Sequence, residues 1–401
     1  MGGMARAGLL AAAIFAARAG GSPGADRPSP GPRPEIRIGG EIQVDYFLRL
    51  TRGSPEFPSV RAADLTVRRA GLRIQADVRP GVSARFKIDL RGGPDPARTQ
   101  ADILEEAILA LGAAGGAGWS FYAGKGRAPY GQDVTLGLIQ SYHHLANRNH
   151  GSHGPISILE EAGDRVADPG RPGGTLVLPI PRPGQLDRVF LAGAALESDS
   201  IWRAELAVFQ PSREEYDSRL KSGSSGNGSN IGAAGRFWWR PFESLTLEAS
   251  AVLAHSDDMG RAWLRTDLPA GTPARKNASA LSLGFDWRRD PWRVFGEYQR
   301  GWNWNHSRDH AVDAGQLGLA RYWRSGWRLG GMAEVLRAGS GQPAGKVDTL
   351  YKLALNVKYA APAGWFVMAE YGREWLRRDQ YGKAPGKDSG EFAGLRVGLT
   401  F

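Results

Sequence analysis

The chain contains no cysteine, so it has neither a disulfide framework nor a thiolate metal site. After the amino terminus it also lacks any run approaching the roughly 18 uninterrupted apolar residues that a membrane-spanning helix requires. Its apolar residues are instead dispersed among charged and small ones. These absences exclude a helical membrane protein. They leave a large all-β protein, which is either water-soluble or a barrel whose strands each carry only a weak alternating pattern.

Acidic residues are in the minority: 41 Asp and Glu stand against 51 Lys and Arg, which gives a formal net charge of +10. A basic excess is compatible with nucleic acid, an acidic surface or an anionic solute as the partner. The positive charges alternate with apolar residues along the chain and form no clustered stripe with aromatic platforms. Nucleic-acid binding is therefore not favoured.

Residues 36–50 show the clearest local pattern. Apolar residues occupy the even positions except Gly40, and most odd positions are charged or polar. An amphipathic helix repeats every 3.6 residues or so and cannot produce a period of two, so the segment is predicted to be a strand. The same alternation covers residues 70–78 and, after a turn at 80–81, residues 82–90, which predicts a hairpin.

The alternating pattern predicts about sixteen strands in the whole chain. They lie near 36–51, 62–79, 82–92, 101–112, 117–127, 186–197, 200–210, 229–241, 244–256, 276–289, 291–302, 311–323, 326–338, 347–360, 364–376 and 389–401. Every second connection is short, and the connections between are longer and polar. Outer-membrane barrels sort their connections in this way, with short periplasmic turns and long external loops. The predicted fold class is all-β, a transmembrane antiparallel β-barrel of about sixteen strands.

Aromatic residues flank the predicted short turns. The residues concerned are Trp239, Phe242, Trp287, Trp292, Trp323, Trp327, Tyr359 and Trp365. Amphipathic rings settle at the level of lipid head groups, so these side chains are predicted to form one ring at the periplasmic interface.

The last predicted strand ends on Phe401, and its odd positions from 393 onward are apolar. A terminal strand of this kind is typical of bacterial outer-membrane barrels. We expect Val397 to face lipid and Arg396 to face the lumen, so that replacing Arg396 by Gln should have little effect on folding.

The amino terminus predicts export from the cytoplasm. Residues 1–19 combine Arg6, a short apolar run and a small-x-small cleavage pattern, as in a secretory signal peptide. Residues 20–35 are rich in Pro and Gly and are expected to form a periplasmic spacer. The barrel is then expected to comprise residues 36–401.

Cations predominate on the polar face of the first strands. In a barrel this face lines the lumen, where wall charges raise the local concentration of anions. The candidate pore-lining residues are Arg73, Arg85, Lys87, Arg91, Lys125 and Arg127. The alternative is that wall charges pair across neighbouring strands and only keep the lumen hydrated.

The connection over residues 128–185 is exceptionally long for a structureless loop, and connections of this length are usually functional or disordered. It is the third long connection, with Lys125 and Arg127 at its base. It contains His143, His144, His150 and His153, but the surrounding glycines do not favour a metal site. Neither a nucleophile-elbow motif nor an acidic orienter accompanies Ser152, so a barrel hydrolase is not favoured.

Four segments resemble the amino-terminal strands of the phosphate-selective porin O and P family in amino-acid sequence, order and spacing. They are 68–74 (RRAGLRI), 84–90 (ARFKIDL), 106–109 (EAIL) and 122–131 (YAGKGRAPYG). The resemblance implies a sixteen-stranded trimeric porin whose third loop folds inward and whose basic constriction passes phosphate or related anions. It relates Lys125 and Arg127 to the family's basic strand-end motif.

These expectations describe a passive outer-membrane channel for small anions, with phosphate among them, and no catalytic residue, metal or cofactor. The expected partners are outer-membrane lipid and lipopolysaccharide, small anionic solutes, and the barrel-assembly machinery through the strand that ends at Phe401. A general, weakly selective porin and an outer-membrane barrel enzyme are the alternatives. A secreted carbohydrate-binding β protein is a further one, which would remain soluble without detergent.

Overall fold

The computed structural model describes residues 35–52, 60–89, 104–112, 118–131, 166–167, 175–176, 189–198, 201–210, 231–255, 277–302, 311–339, 347–378 and 386–401. The expected signal peptide and the expected spacer up to residue 34 lie outside the described residues. Within them, no helix is long and apolar enough to cross a membrane.

Sixteen antiparallel strands form one closed barrel, and two further two-residue strands pair with each other. The strands are β1 (Glu35–Arg52), β2 (Val60–Arg79), β3 (Val82–Asp89), β4 (Leu104–Gly112), β5 (Gly118–Gly126), β6 (Val166–Ala167), β7 (Thr175–Leu176), β8 (Val189–Ser198), β9 (Trp202–Gln210), β10 (Ile231–Phe242), β11 (Leu245–His255), β12 (Asn277–Arg289), β13 (Trp292–Trp302), β14 (Ala311–Tyr322), β15 (Trp327–Gly339), β16 (Val347–Ala360), β17 (Trp365–Arg378) and β18 (Gly386–Thr400). The predicted fold class is confirmed, and each barrel strand lies within a few residues of its predicted range.

The barrel closes where β1 pairs with β18. The backbone N–H of Gly40 donates to the carbonyl of Phe401 at 2.9 Å, and the N–H of Phe401 donates back to the carbonyl of Gly40 at 3.1 Å. Both ends of the barrel therefore lie on the rim that carries the short turns. An even number of antiparallel strands produces this arrangement.

The barrel has an apolar exterior and a polar interior. Large apolar side chains such as Leu355, 63% exposed, and Val397, 48% exposed, point outward, whereas charged side chains between them, such as Lys352 and Arg396, are buried. The period of two explains this inversion, since neighbouring residues of a strand point to opposite faces. The predicted orientations of Val397 and Arg396 are confirmed.

Aromatic side chains surround the short turns, as predicted. Trp292, Trp327 and Trp365 are exposed on the outer surface near the turn ends of their strands. Tyr359 joins two of them, with ring centroids 5.1 Å from Trp327 and 5.4 Å from Trp365. Trp327, Tyr359 and Trp365 thus form a continuous aromatic row across three strands at one membrane interface.

Two short turns depend on glycine. Gly326 and Gly364 each have a φ of +87°, and a Cβ at either would lie 2.4 Å or less from a backbone oxygen of the neighbouring strand. Only glycine adopts this conformation readily and permits the close approach. These turns fix the short connections after β14 and β16.

Candidate channel lumen

The wall of the lumen has two parts, which differ in whether their inward side chains are exposed to solvent. Cα partners in a sheet share a face, so the register around the barrel identifies the inward side. On β2, β3 and β4, the inward Arg73 and Arg85 are exposed, and Lys87 and Glu106 are half-buried. We call this wall the open arc.

A second wall consists of β12–β18 together with Asp45 of β1, and we call it the closed arc. Most of its described inward charged and amide side chains are buried, although Arg288 is exposed. The buried ones include Asp286, Arg293, Glu297, Gln299, Gln316, Arg328, Glu334, Lys352, Asn356, Glu370 and Arg396. Water and solute therefore have access chiefly to the open arc.

Charges in the closed arc pair across strands. Arg396 is 1% exposed and Asp45 is 3% exposed, and the guanidinium donates two hydrogen bonds of 2.6 Å to the two carboxylate oxygens. Asp286 accepts from Arg293 at 2.8 and 3.0 Å and from Arg288 at 2.6 and 3.0 Å. Bidentate charge-assisted pairs of this kind are strong and oriented. The alternative in which wall charges neutralise each other holds for these residues.

A similar cluster lies between the two arcs on β8, β9 and β10. Glu205 accepts from Arg236 at 2.6 and 3.0 Å and also from Arg203. Arg203 reaches Glu197 as well, at 3.1 Å. Each of these cations is paired with a carboxylate, so the net electric field that acts on a passing solute is smaller here.

The third long connection begins inside the barrel. Residues 128–131 follow β5 and are buried, and the N–H of Gly131 donates to Ser250 Oγ on β11 at 2.8 Å. A Cβ at Gly131 would lie 3.3 Å from Glu297 Oε1 on β13. The start of the connection therefore crosses the lumen from β5 to the opposite wall. The inward course predicted for the rest of it falls mostly outside the described residues.

Tyr130 lies in this crossing segment and is buried, which raises the pKa of its phenol. The nearby carboxylate of Glu297 acts in the same direction. Glu297 itself accepts hydrogen bonds from three neutral side chains: Ser282 at 2.6 Å, Gln299 at 2.8 Å and Gln316 at 3.0 Å. Polar uncharged groups thus line the region where the connection contacts the wall.

Lys125 and Arg127 lie at the base of this crossing segment. Trp119, Phe121 and Ala123 alternate outward on β5, so a regular strand would also expose residue 125, yet Lys125 is 5% exposed. The Cα register is unbroken at Gly124, whose φ is +142°, and it pairs Lys125 with Ala107 and with the outward Phe190, so strand parity does not explain the burial of Lys125. Arg127 is half-buried, and its Nη2 donates to the carbonyl of Tyr130 at 3.3 Å.

The open arc brings three predicted residues together. Arg73 and Lys87 are direct Cα partners on β2 and β3, and Arg85 lies two residues from Lys87 on the same face. Glu106 on β4 is the Cα partner of Lys87 and lies 3.4 Å from Arg85. Three cations therefore lie within one patch of wall, and Asp77 and Glu106 lie on the same face.

The remaining predicted site residues fall elsewhere. Arg91 and the histidines at 143, 144, 150 and 153 lie outside the described residues. In the described ranges, no group of three or more potential ligands could hold a metal ion. The sequence pattern did not indicate a role for Ser250, Ser282, Gln299, Gln316 and Tyr130. Strand parity predicts that Ser250, Ser282, Gln299 and Gln316 point inward. It does not predict that they lie where the crossing segment meets the wall.

No family model and no curated protein matches the sequence. Among solved structures, the chain is similar to the anion-selective porin from Comamonas acidovorans, with a TM-score of 0.56, 11% identity and coverage of 92% of this chain and 100% of that one. OmpF of Salmonella typhi, in complex with daunomycin, gives a TM-score of 0.55 at 9% identity over 91% and 97%. The outer membrane channel DcaP of Acinetobacter baumannii gives 0.52 at 11% identity over 92% and 98%.

Identities this low establish the fold alone. The chain has the sixteen-stranded barrel fold of outer-membrane porins, and its exterior carries the apolar band and aromatic row that such a barrel presents to lipid. The protein is a barrel of the bacterial outer membrane with the porin fold.

Proposed function

We propose that the protein is a passive channel for small anions, and that the anions pass along the open arc. The observation that carries this proposal is the direct register of Arg73 with Lys87 on adjacent strands. Like charges directly opposite each other destabilise a sheet. A wall that places them together on its exposed side concentrates anions there, because the low-dielectric barrel focuses their field into the water.

The net charge of the open arc also favours anions over cations. Among the described side chains of this wall, Arg73, Arg85 and Lys87 contribute three positive charges, and Asp77 and Glu106 contribute two negative charges, which leaves a local excess of one. Arg85 remains 53% exposed although it lies near Glu106. By contrast, the acids Asp45, Asp286 and Glu205 are each held by arginine, so those clusters contribute less to selectivity.

Phosphate is the anion we propose within this class. The guanidinium groups of Arg73 and Arg85 offer planar pairs of donors that match phosphate oxygens. Arg127 and Lys125 would add positive charge where the crossing segment leaves β5, and Arg91 would extend the basic wall beyond β3. The crossing segment narrows the water column and sets the upper limit on solute size.

We further propose that the barrel works as a homotrimer. A similar fold occurs in the trimer form of OmpT, an outer membrane protein of Vibrio cholerae, which covers 92% of this chain with a TM-score of 0.52 at 12% identity. The outer-membrane lipid, lipopolysaccharide included, and the barrel-assembly machinery that receives the strand ending at Phe401 complete the proposed partners. Catalysis forms no part of the proposal.

The reversal potential of the purified protein in a planar bilayer under a potassium chloride gradient tests this function. We expect the sign for chloride preference, and we expect the triple variant Arg73→Gln, Arg85→Gln, Lys87→Gln to reduce it strongly. Arg288→Gln is the matched control: it removes an inward cation whose carboxylate partner, Asp286, keeps Arg293. A triple variant with unchanged selectivity would contradict the proposal and favour a general porin.

A further inference from the structure

A row of mostly charged residues crosses the outside of the barrel at the rim that carries the long connections. Arg300, Asp313, Arg337, Thr349 and Arg377 are successive Cα partners on β13, β14, β15, β16 and β17. Each lies within two residues of the end of its strand. The row therefore follows the rim over five neighbouring strands.

These side chains face outward. Arg337 has the parity of the exposed Trp327 and Leu329 on β15, and Arg300 has the parity of the exposed Tyr298 on β13. Arg377 has the parity of the exposed Tyr371 on β17. Since neighbouring residues of a strand point to opposite faces, the row lies on the lipid side of the wall.

The depth of the row follows from the residues beneath it. Two positions nearer the barrel centre, the register places Tyr298, Tyr351 and Trp375 on the same outer face. Beyond them comes the apolar band that includes Leu317 and Leu353. Aromatic rings mark the level of the head groups, so the charged row lies at or just above it.

The row carries a net positive charge. Arg300, Arg337 and Arg377 contribute three positive charges, and Asp313 contributes one negative charge, which leaves an excess of two. Asp313 lies 3.5 Å from Arg300 and accepts a 2.6 Å hydrogen bond from the Tyr298 hydroxyl. Guanidinium groups at head-group depth match phosphate oxygens in both charge and geometry.

The other rim also carries outward arginines, since Arg289 and Arg321 are both Cα partners of Trp292. Its outward Arg321 lies over the rings of Trp292 and Trp323, with its guanidinium carbon 5.2 and 5.1 Å from the two ring centroids. Its Cα partners are Trp292 and Leu329, neither of which is charged. Arg321 therefore supplies a matched control, an outward arginine at the opposite rim with no charged Cα partner.

We propose that Arg300, Arg337 and Arg377 bind the phosphate groups of a phosphorylated glycolipid in the leaflet at the long-connection rim. The inference rests on the barrel's place in the outer membrane and is independent of its anion preference. Tyr298, Tyr351 and Trp375 would contact the sugar and the upper acyl region of the lipid, while the guanidinium groups hold its phosphates. The charge complementarity of the site selects this occupant over an uncharged lipid.

The test compares diphosphorylated lipid A with the same lipid stripped of its phosphates, each added in detergent to the purified barrel. Native mass spectrometry and the melting temperature report binding. We expect only the phosphorylated lipid to bind tightly and raise the melting temperature. The double variant Arg337→Gln, Arg377→Gln should lose about tenfold or more in affinity. Arg321→Gln should behave as the parent protein does.

Three results would overturn the site: equal binding of both lipids, undiminished binding by the double variant, or a change in subunit assembly in place of lipid affinity. If the double variant does not fold, Arg337→Gln alone is measured, and a loss of about threefold is expected. The reversal potential of the double variant should equal that of the parent. Failure of the lipid site is thereby distinguishable from failure of the channel proposal.

Discussion

Asp45 on the first strand and Arg396 on the last are 351 positions apart in sequence, yet two hydrogen bonds of 2.6 Å join them inside the barrel. They are direct Cα partners at the seam where β1 meets β18. The pair therefore fixes the register of barrel closure as well as contributing to its wall.

Breaking this pair should destabilise the barrel. Arg396→Gln leaves a buried carboxylate without its bidentate partner, and the expected loss is about 3–5 kcal/mol in the free energy of unfolding. Thermal unfolding in detergent measures it. The control is Arg373→Gln, which breaks an exposed outer pair with Glu391 at 3.8 Å and should cost no more than about 1 kcal/mol. Equal losses for the two variants would show that the seam pair has no special role.

This geometry corrects the expectation that Arg396→Gln would be tolerated. Strand parity places Arg396 on the polar side, and that prediction is confirmed. Parity cannot report that Asp45 lies beside it, because the pairing depends on closure between the two ends of the chain. The sequence pattern predicts which way a residue points, but long-range contacts decide whether its charge is solvated.

The depth of the apolar band predicts a gradient of cost for charged substitutions. On β18, Leu395 lies midway along the outer band, whereas Leu399 is the Cα partner of Trp365 in the aromatic row. Leu395→Arg should cost about 2–4 kcal/mol of folding free energy, and Leu399→Arg about 0–1 kcal/mol. Reversible folding into lipid vesicles measures both. The reverse order would mean that the membrane lies at a different height on the barrel.

The hydrogen bond between Gly131 and Ser250 predicts a change in conductance. Ser250→Ala removes the acceptor that holds the crossing segment against β11, at a cost of about 1 kcal/mol. We expect a larger or noisier single-channel conductance with the barrel still folded. Thr246→Ala removes an inward hydroxyl on the same strand and should leave the conductance unchanged. An identical conductance in both variants would show that the segment does not narrow the pore.

The geometry of guanidinium predicts a difference between charge and phosphate recognition. Arg73→Lys keeps the positive charge of the open arc but removes the planar fork. Chloride preference should persist, while inorganic phosphate should block the chloride current several-fold less well than in the parent. The measurement is a phosphate titration of single-channel current. Equal phosphate block in both proteins would reduce the role of Arg73 to that of a point charge.

The fold was accessible from the sequence because its determinants are local. The period of two, the alternation of short and long connections and the aromatic rings beside the turns each need only a few neighbouring residues. The burial of Lys125 was not accessible, since its register partners Ala107 and Phe190 place it with the outward residues of the sheet. The division of the lumen into open and closed arcs depends on pairs between strands, such as the one between Asp45 and Arg396, and no local pattern contains that information.

The absence of native cysteine permits the most direct test of the claim that solute moves along the open arc. Gln75→Cys places one thiol on the inward face of β2 between Arg73 and Asp77, and Ala354→Cys places one on the buried inward face of β16. A negatively charged, membrane-impermeant thiol reagent should reduce chloride current rapidly in the first variant and leave the second unmodified. Rapid modification at 354 with none at 75 would contradict the account.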